Sequence, residues 1–100
     1  MKTVSLKLLT IIADEALQRR LIEDVKKLGA KGYTIEKAYG EGDSGGRISP
    51  WEGENIRIET LVSDSVADKI LAKLSSEYFN RYSIIAYLSD VQVLRGEKFT

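Results

Sequence analysis

Residues Thr3 to Ile12 read Thr-Val-Ser-Leu-Lys-Leu-Leu-Thr-Ile-Ile, with apolar side chains at every second position before they merge into an apolar run. Alternation with a period of two is the pattern of a strand that buries one face, and a continuous run indicates deeper burial. The stretch therefore predicts a first strand that passes into the buried centre of a sheet.

The next segment has the apolar spacing of a helix followed by a second strand. Asp14 can cap the first amides, and the apolar stripe that follows has intervals of four, four and three residues. This stripe consists of Leu17, Leu21, Val25 and Leu28. Gly29 ends the helix, and Gly29 and Gly32 give the turn two positions that tolerate positive φ. Alternation from Tyr33 to Tyr39 then predicts the second strand.

The second half of the chain repeats this order. Alternation over Ile56 to Val62 predicts a third strand beside the second, with Arg57, Glu59 and Leu61 on the opposite face from the isoleucines. Ser65, with Asp68 three residues later, resembles a helix start. The apolar stripe of this second helix consists of Ala67, Ile70, Leu71, Leu74 and Tyr78.

The end of the chain predicts further strands. Asn80 and Arg81 break the second helix, and the apolar run from Tyr82 to Leu88 is typical of a central strand covered on one face. Val91 and Val93 predict a short additional strand before the polar end.

Together these elements predict an α+β fold in the order βαββαβ. Short connections and right-handed crossovers favour a ferredoxin-like plait, in which a four-stranded antiparallel sheet carries both helices on one face. Residues 1–100 form a single domain in this interpretation. The other sheet face would leave Tyr and Leu side chains in water, which predicts a homo-oligomer.

Composition excludes several classes of function. The 100 residues carry 15 basic and 15 acidic side chains, so no strong field attracts nucleic acid. The absence of His and Cys removes thiolates, disulfides and the usual zinc ligands. The first twelve residues are too short and polar to span a membrane, and no cleavage site follows them. We expect a cytoplasmic protein that does not insert into membranes.

The most distinctive segment is the loop from Gly40 to Glu54, which holds five of the eight glycines and the only Pro and Trp. Loops of this length tend to be functional or disordered. Inward-turned amides with Arg47 would bind a phosphate group, although a glycine-rich connection without a ligand is the alternative. Trp51 either folds back on the hairpin or anchors a partner protein.

The C-terminal segment offers a second basic cluster. Arg95 and Lys98 lie beside Phe99 near the end of the chain. They are either a solvated polar tail or a second arm of the phosphate site.

Several short motifs, in this order and at this spacing, resemble the PII-like signalling proteins over nearly the whole chain. They are Lys31-Gly32-Tyr33-Thr34, the Gly40-x-Gly42 to Arg47 loop, Tyr78-Phe79-Asn80-x-Tyr82 and Val93-Leu94-x-Gly96-x-x-Phe99. The resemblance is closest to the branch associated with bicarbonate transporters and carboxysomes.

This resemblance implies a homotrimer that binds adenine nucleotides in its intersubunit clefts and changes the shape of a flexible T-loop at about residues 41–54. It implies a sensor and not an enzyme. The site residues that it implies are Thr34, Gly40, Gly42, Ser44, Gly45, Gly46, Arg47, Tyr82, Ile84 and Arg95. Bicarbonate is implied as a possible second ligand, and a bicarbonate transporter or a carboxysome-linked protein as a possible partner.

Departures from the family pattern refine these expectations. The glycine-rich, lysine-bearing loop of classical PII proteins is replaced by Phe79-Asn80-Arg81-Tyr82, and Ser44 stands where the branch commonly has an arginine. AMP or ADP is therefore favoured over ATP. An alternative is a slow hydrolase in which Glu41 or Asp43 holds a divalent ion and Arg47 stabilises phosphoryl charge.

Overall fold

The computed structural model describes residues 2–40 and 54–99, and it confirms the predicted order of elements. The strands and α-helices are β1 (Val4–Asp14), α1 (Gln18–Lys27), β2 (Thr34–Ala38), β3 (Asn55–Val62), α2 (Asp64–Glu77) and β4 (Ile85–Val93). Two short 3-10 turns are added, one at Glu15–Leu17 before α1 and one at Gly96–Phe99 after β4.

The four strands form one sheet in the order β2-β3-β1-β4, and every neighbouring pair is antiparallel. β3 lies beside β2, as predicted, and β1 lies in the interior, where it pairs with both β3 and β4. The α+β ferredoxin-like plait is thereby confirmed.

The core lies between one face of the sheet and the two helices. In β1 the odd-numbered residues Leu9, Ile11 and Ala13 are fully buried on that face. They belong to one cluster with the apolar stripes of both helices, including Leu21, Val25, Ile70 and Leu74. Burying each large aliphatic side chain contributes about 1.5–3 kcal/mol, so these stripes hold the helices on the sheet.

The ends of α1 follow the expected capping chemistry. The Asp14 carboxylate accepts a hydrogen bond of 2.8 Å from the amide of Ala16, at the start of the 3-10 turn. Gly29 ends the helical segment with φ of 123°, a conformation that residues with a Cβ rarely adopt. Of the two glycines in this turn, Gly29 has a positive φ and Gly32 does not.

The predicted start of α2 at Ser65 was wrong by two residues. Ser63 is the N-cap, and its hydroxyl accepts a hydrogen bond of 3.3 Å from the amide of Val66. Ser65 lies in the first turn, with its hydroxyl 3.3 Å from that of Ser63. Either serine could cap the helix by its hydroxyl group. Ser63 is the N-cap because its backbone is still extended, with ψ of 165°, as an N-cap requires.

The prediction of a central strand at Tyr82–Leu88 followed by a separate short strand was also wrong. β4 is one continuous strand that pairs with β1 from Ile85↔Ile12 to Val93↔Val4, and it lies at an edge of the sheet. The long partner strand extends the pairing across the polar Ser89 and Asp90. An apolar run alone does not separate edge from centre.

The face of the sheet opposite the helices bears apolar side chains exposed in a single chain. Tyr87 is 46% exposed and Val4 is 37% exposed, and register places both on this open face. Leu6 on the same face is buried, and the turn Gly96–Phe99 contacts β1. Across residues 2–40 and 54–99, no helix is both long and apolar enough to cross a bilayer.

Candidate functional site

A cavity of about 410 Å³ lies beside Thr34, the first residue of β2. Its lining comes from β1 and β3, mainly from their open face, from the turn that enters β2 and from the C-terminal turn Gly96–Phe99. The lining residues are Leu8, Gly32, Tyr33, Thr34, Glu59, Thr60, Leu61 and Phe99. Apolar walls with a few polar groups, at a volume of 300–1,000 Å³, are typical of sites for small organic ligands.

The polar groups of this cavity are positioned by strand register. Thr34 pairs with Glu59, which in turn pairs with Thr10, so their side chains share the open face. The Thr60 hydroxyl points to the other face and donates a hydrogen bond of 2.6 Å to the carbonyl of Gly32. This bond fixes the turn that enters β2. The cavity thus presents the hydroxyl of Thr34 and the carboxylate of Glu59 on a rigid frame.

Arg95 immediately precedes the C-terminal turn Gly96–Phe99 and adopts φ of 61°, which is uncommon for a residue other than glycine. Its carbonyl accepts a hydrogen bond of 3.1 Å from the amide of Lys98. Its side chain is exposed. Gly96 follows and is buried, and a Cβ at this position would lie 2.5 Å from the Cβ of Val4. The turn is therefore seated tightly on β1, and Phe99 reaches the cavity beside Thr34.

Gly40 lies two residues beyond β2, where the long loop begins. Most of the predicted phosphate-facing residues, together with Trp51, lie outside the described residues. These are Gly42, Ser44, Gly45, Gly46 and Arg47. The returning end of the loop is held at Glu54, whose carbonyl accepts a hydrogen bond of 2.9 Å from the amide of Glu15.

Two carboxyl groups meet at this root of the loop. A hydrogen bond and charge repulsion from Glu54 raise the pKa of Glu15, whereas the same hydrogen bond and the charge of Lys37 lower the pKa of Glu54. The Lys37 ammonium lies 3.7 Å from the Glu54 carboxylate. Lys37 is thus engaged with Glu54.

A cation on the open face of the sheet, Arg57, is also paired with a carboxylate. The Arg57 Nε donates a hydrogen bond of 2.8 Å to the Glu36 carboxylate, and this hydrogen bond raises the pKa of Arg57. Arg57 is therefore paired within the sheet.

Tyr82 and Ile84 lie at the other edge of the sheet, just before β4. The Tyr82 ring is tilted against Tyr78 with 6.3 Å between ring centres, and Ile84 packs on the core. The fully buried Tyr78 donates a hydrogen bond of 2.5 Å to Asp24, and the Arg20 guanidinium lies 4.5 Å from its ring centre. Burial, and then the bond to Asp24, raise the pKa of Tyr78.

One subunit does not bring all the predicted residues together. Thr34 and Gly40 belong to the β2 edge, whereas Tyr82 and Ile84 precede β4, three strand spacings or about 14 Å away. Among the residues that the structure describes, the cavity joins Thr34 to the C-terminal turn and does not reach Tyr82 or Ile84. A site that uses both edges therefore requires a second subunit.

Of the eight residues that line the cavity, the sequence prediction named Thr34 as a site residue and missed the other seven. Glu59 and Leu61 are two of those missed. The period-two pattern had placed Glu59 and Leu61 away from the helices, and that signal, combined with Thr34 on the paired strand, would have found them. In the part of the chain that the structure describes, no group of three acidic side chains is arranged to hold a metal ion.

The chain is similar to known proteins in both sequence and fold. The family model of nitrogen regulatory protein P-II matches residues 6–98. A protein of Thermus thermophilus described as PII-like and signalling is 55% identical, with 100% of both chains covered and a TM-score of 0.87.

The protein CPII of Thiomonas intermedia K12 is similar in two liganded structures. Bound to ADP, AMP and acetate, it is 27% identical over 99% of this chain and 98% of its own, with a TM-score of 0.87. Bound to ADP and bicarbonate, it is 28% identical over the same shares, with a TM-score of 0.85.

Proposed function

The chain belongs to the family of nitrogen regulatory protein P-II, and from this premise we propose that it is a cytoplasmic signalling protein controlled by AMP or ADP. The observation that carries the proposal is the apolar cavity beside Thr34, which is lined in part by the C-terminal turn that directly follows Arg95. Its function is regulatory and not catalytic, as is general for the family.

The proposed assembly is a homotrimer, the form that P-II proteins take. Two features of the chain support it. The open sheet face exposes Tyr87 and Val4, which association would remove from water. The predicted site residues are divided between the β2 and β4 edges, so a neighbouring subunit is needed to join them.

In the proposed complex the adenine base enters the cavity and packs on Leu8 and Leu61, which are cross-strand neighbours on the open face. The Glu59 carboxylate accepts hydrogen bonds from the ribose hydroxyls. The apolar walls and the single carboxylate support this orientation, because a carboxylate would repel the phosphates. The phosphates then extend toward Arg95 and toward Arg47 with the amides of Gly42 to Gly46. AMP and ADP are bound by CPII, a relative of similar fold.

The proposed output is a change of residues 41–54 on ligand binding, which a partner protein reads. Binding shifts a conformational equilibrium only by its differential affinity for the two states. One charge-assisted hydrogen bond to Arg47, at about 1.5–3 kcal/mol, shifts the ratio by about tenfold to a hundredfold. Bicarbonate is proposed as a second ligand, since CPII has a structure bound to ADP and bicarbonate. A bicarbonate transporter or a carboxysome-linked protein is proposed as the partner.

Titration calorimetry of AMP, ADP and ATP, combined with analytical ultracentrifugation, tests this function. We expect a trimer that binds AMP or ADP more tightly than ATP, a Trp51 emission that changes on binding, and weaker binding in Arg47→Ala without dissociation. A trimer that shows no heat and no emission change at millimolar nucleotide contradicts the proposal. Steady release of phosphate from ADP or ATP would instead favour the hydrolase.

A further inference from the structure

The C-terminal turn contributes an aromatic ring to the cavity beside Thr34. Phe99 lines the cavity together with Leu8 and Leu61. Among the lining residues that the structure describes, Tyr33 and Phe99 carry the aromatic rings, and Tyr33 is 43% exposed. Phe99 is the less exposed of these two rings.

The backbone before Phe99 is held by three separate restraints. Arg95 occupies the left-handed region with φ of 61°. Gly96 packs on Val4 so closely that a Cβ has no room. The amide of Lys98 then closes the turn on the carbonyl of Arg95 over 3.1 Å. The left-handed conformation of a non-glycine residue is unfavourable and persists only where the surrounding packing determines it. The turn therefore presents Phe99 from a fixed frame.

The cavity retains about 410 Å³ with the ring in place. This volume already lies in the range of small-ligand pockets, so Phe99 forms a wall of the cavity and does not plug it. Stacked or tilted ring pairs gain stabilisation beyond the burial of area, which aliphatic walls do not supply.

We propose that Phe99 is a specificity-determining residue that stacks on the base of the bound nucleotide. This inference rests on the proposed function, since it assumes that an adenine nucleotide enters the cavity beside Thr34. Leu8 and Leu61 accept any apolar group, whereas Phe99 selects a flat aromatic one. The C-terminal turn thus recognises the base through Phe99, and its cations bind the phosphates.

Calorimetric dissociation constants for ADP in matched variants test the stacking. Phe99→Leu keeps an apolar side chain but removes the ring, and we expect affinity to fall about two- to thirteenfold. Phe99→Trp keeps a ring and should bind like the unchanged protein. Leu94→Ala is the control, because Leu94 is an exposed apolar residue beside the same turn, 51% exposed and outside the cavity. It should leave the dissociation constant unchanged.

Fluorescence gives a readout that a purely structural role of Phe99 would not move. In a Trp51→Phe background, the indole introduced by Phe99→Trp should change its emission on addition of ADP and not on addition of ribose 5-phosphate, which lacks a base. Two results would overturn the inference but not the proposed function. One is an ADP affinity that Phe99→Leu does not change, and the other is a tryptophan emission that does not change although ADP binds. Failure of the unchanged protein to bind ADP overturns the proposed function itself.

Discussion

The tight seat of the C-terminal turn makes Gly96→Ala the most informative substitution in the chain. A Cβ at this position would lie 2.5 Å from the Val4 Cβ and 3.0 and 3.2 Å from its two methyl carbons. Carbon atoms pack favourably at about 3.5–4.0 Å, so the turn must move by roughly 1 Å. Both Cβ atoms are bonded directly to the backbone, so a change of side-chain rotamer cannot relieve their contact. We expect the free energy of unfolding to fall by about 1–3 kcal/mol, the usual cost of overpacking.

Gly32→Ala is the matched control, because a Cβ there meets no atom within 4 Å in the described part of the chain. Urea unfolding followed by circular dichroism, at one fixed protein concentration, measures both variants against the unchanged protein. Gly32→Ala should change stability by less than about 1 kcal/mol. ADP affinity of folded Gly96→Ala should also fall, because the shift displaces Phe99. If Gly96→Ala is as stable as Gly32→Ala, the described seating of the turn is wrong.

Three further predictions concern α2, the helix pair and the phosphate site. Ser63→Ala should lower the free energy of unfolding in urea by about 1 kcal/mol and Ser65→Ala by much less, because only Ser63 caps the helix; equal losses would contradict this assignment. The raised pKa of Tyr78 means that its neutral form stabilises the fold fully below about pH 10, the unfolded value, and progressively less above it. The free energy of unfolding, measured from pH 8 to 11, should therefore decrease above pH 10. The decrease should be larger than in Tyr78→Phe by up to about 1.4 kcal/mol per pH unit. Parallel curves for the two proteins would show that ionisation of Tyr78 does not affect folding. Arg95→Asn keeps a residue that tolerates positive φ but removes the cation. Calorimetry should therefore show weaker ADP binding and unchanged thermal stability. Unchanged ADP binding would exclude a contact between Arg95 and the phosphates.

Periodicity predicted the sheet and its two faces because one residue step changes the face of a strand. Alternation in β3 placed Ile58 on the helix side and Glu59 opposite, as the structure has them. The helix stripes were equally informative, and Leu21, Val25 and Ile70 are buried as expected. The resemblance to PII-like proteins is supported by the family model, whereas the carbon-uptake role stays a proposal.

Other features depend on tertiary structure that a local pattern does not contain. The choice of Ser63 over Ser65 as N-cap depends on the backbone angle at which the chain leaves β3. The length of β4 depends on its long partner β1, which pairs with it across Ser89 and Asp90. The left-handed conformation of Arg95 has no sequence signal, because an arginine there indicates no special backbone. The cavity therefore could not be completed from the sequence.

A crystal structure grown with saturating ADP tests the central claim most directly. Density for the base should lie against Thr34 and Phe99, with groups of a second subunit in contact with the same nucleotide. Nucleotide held by one subunit alone, or a cavity beside Thr34 that stays empty in every copy, would contradict the account.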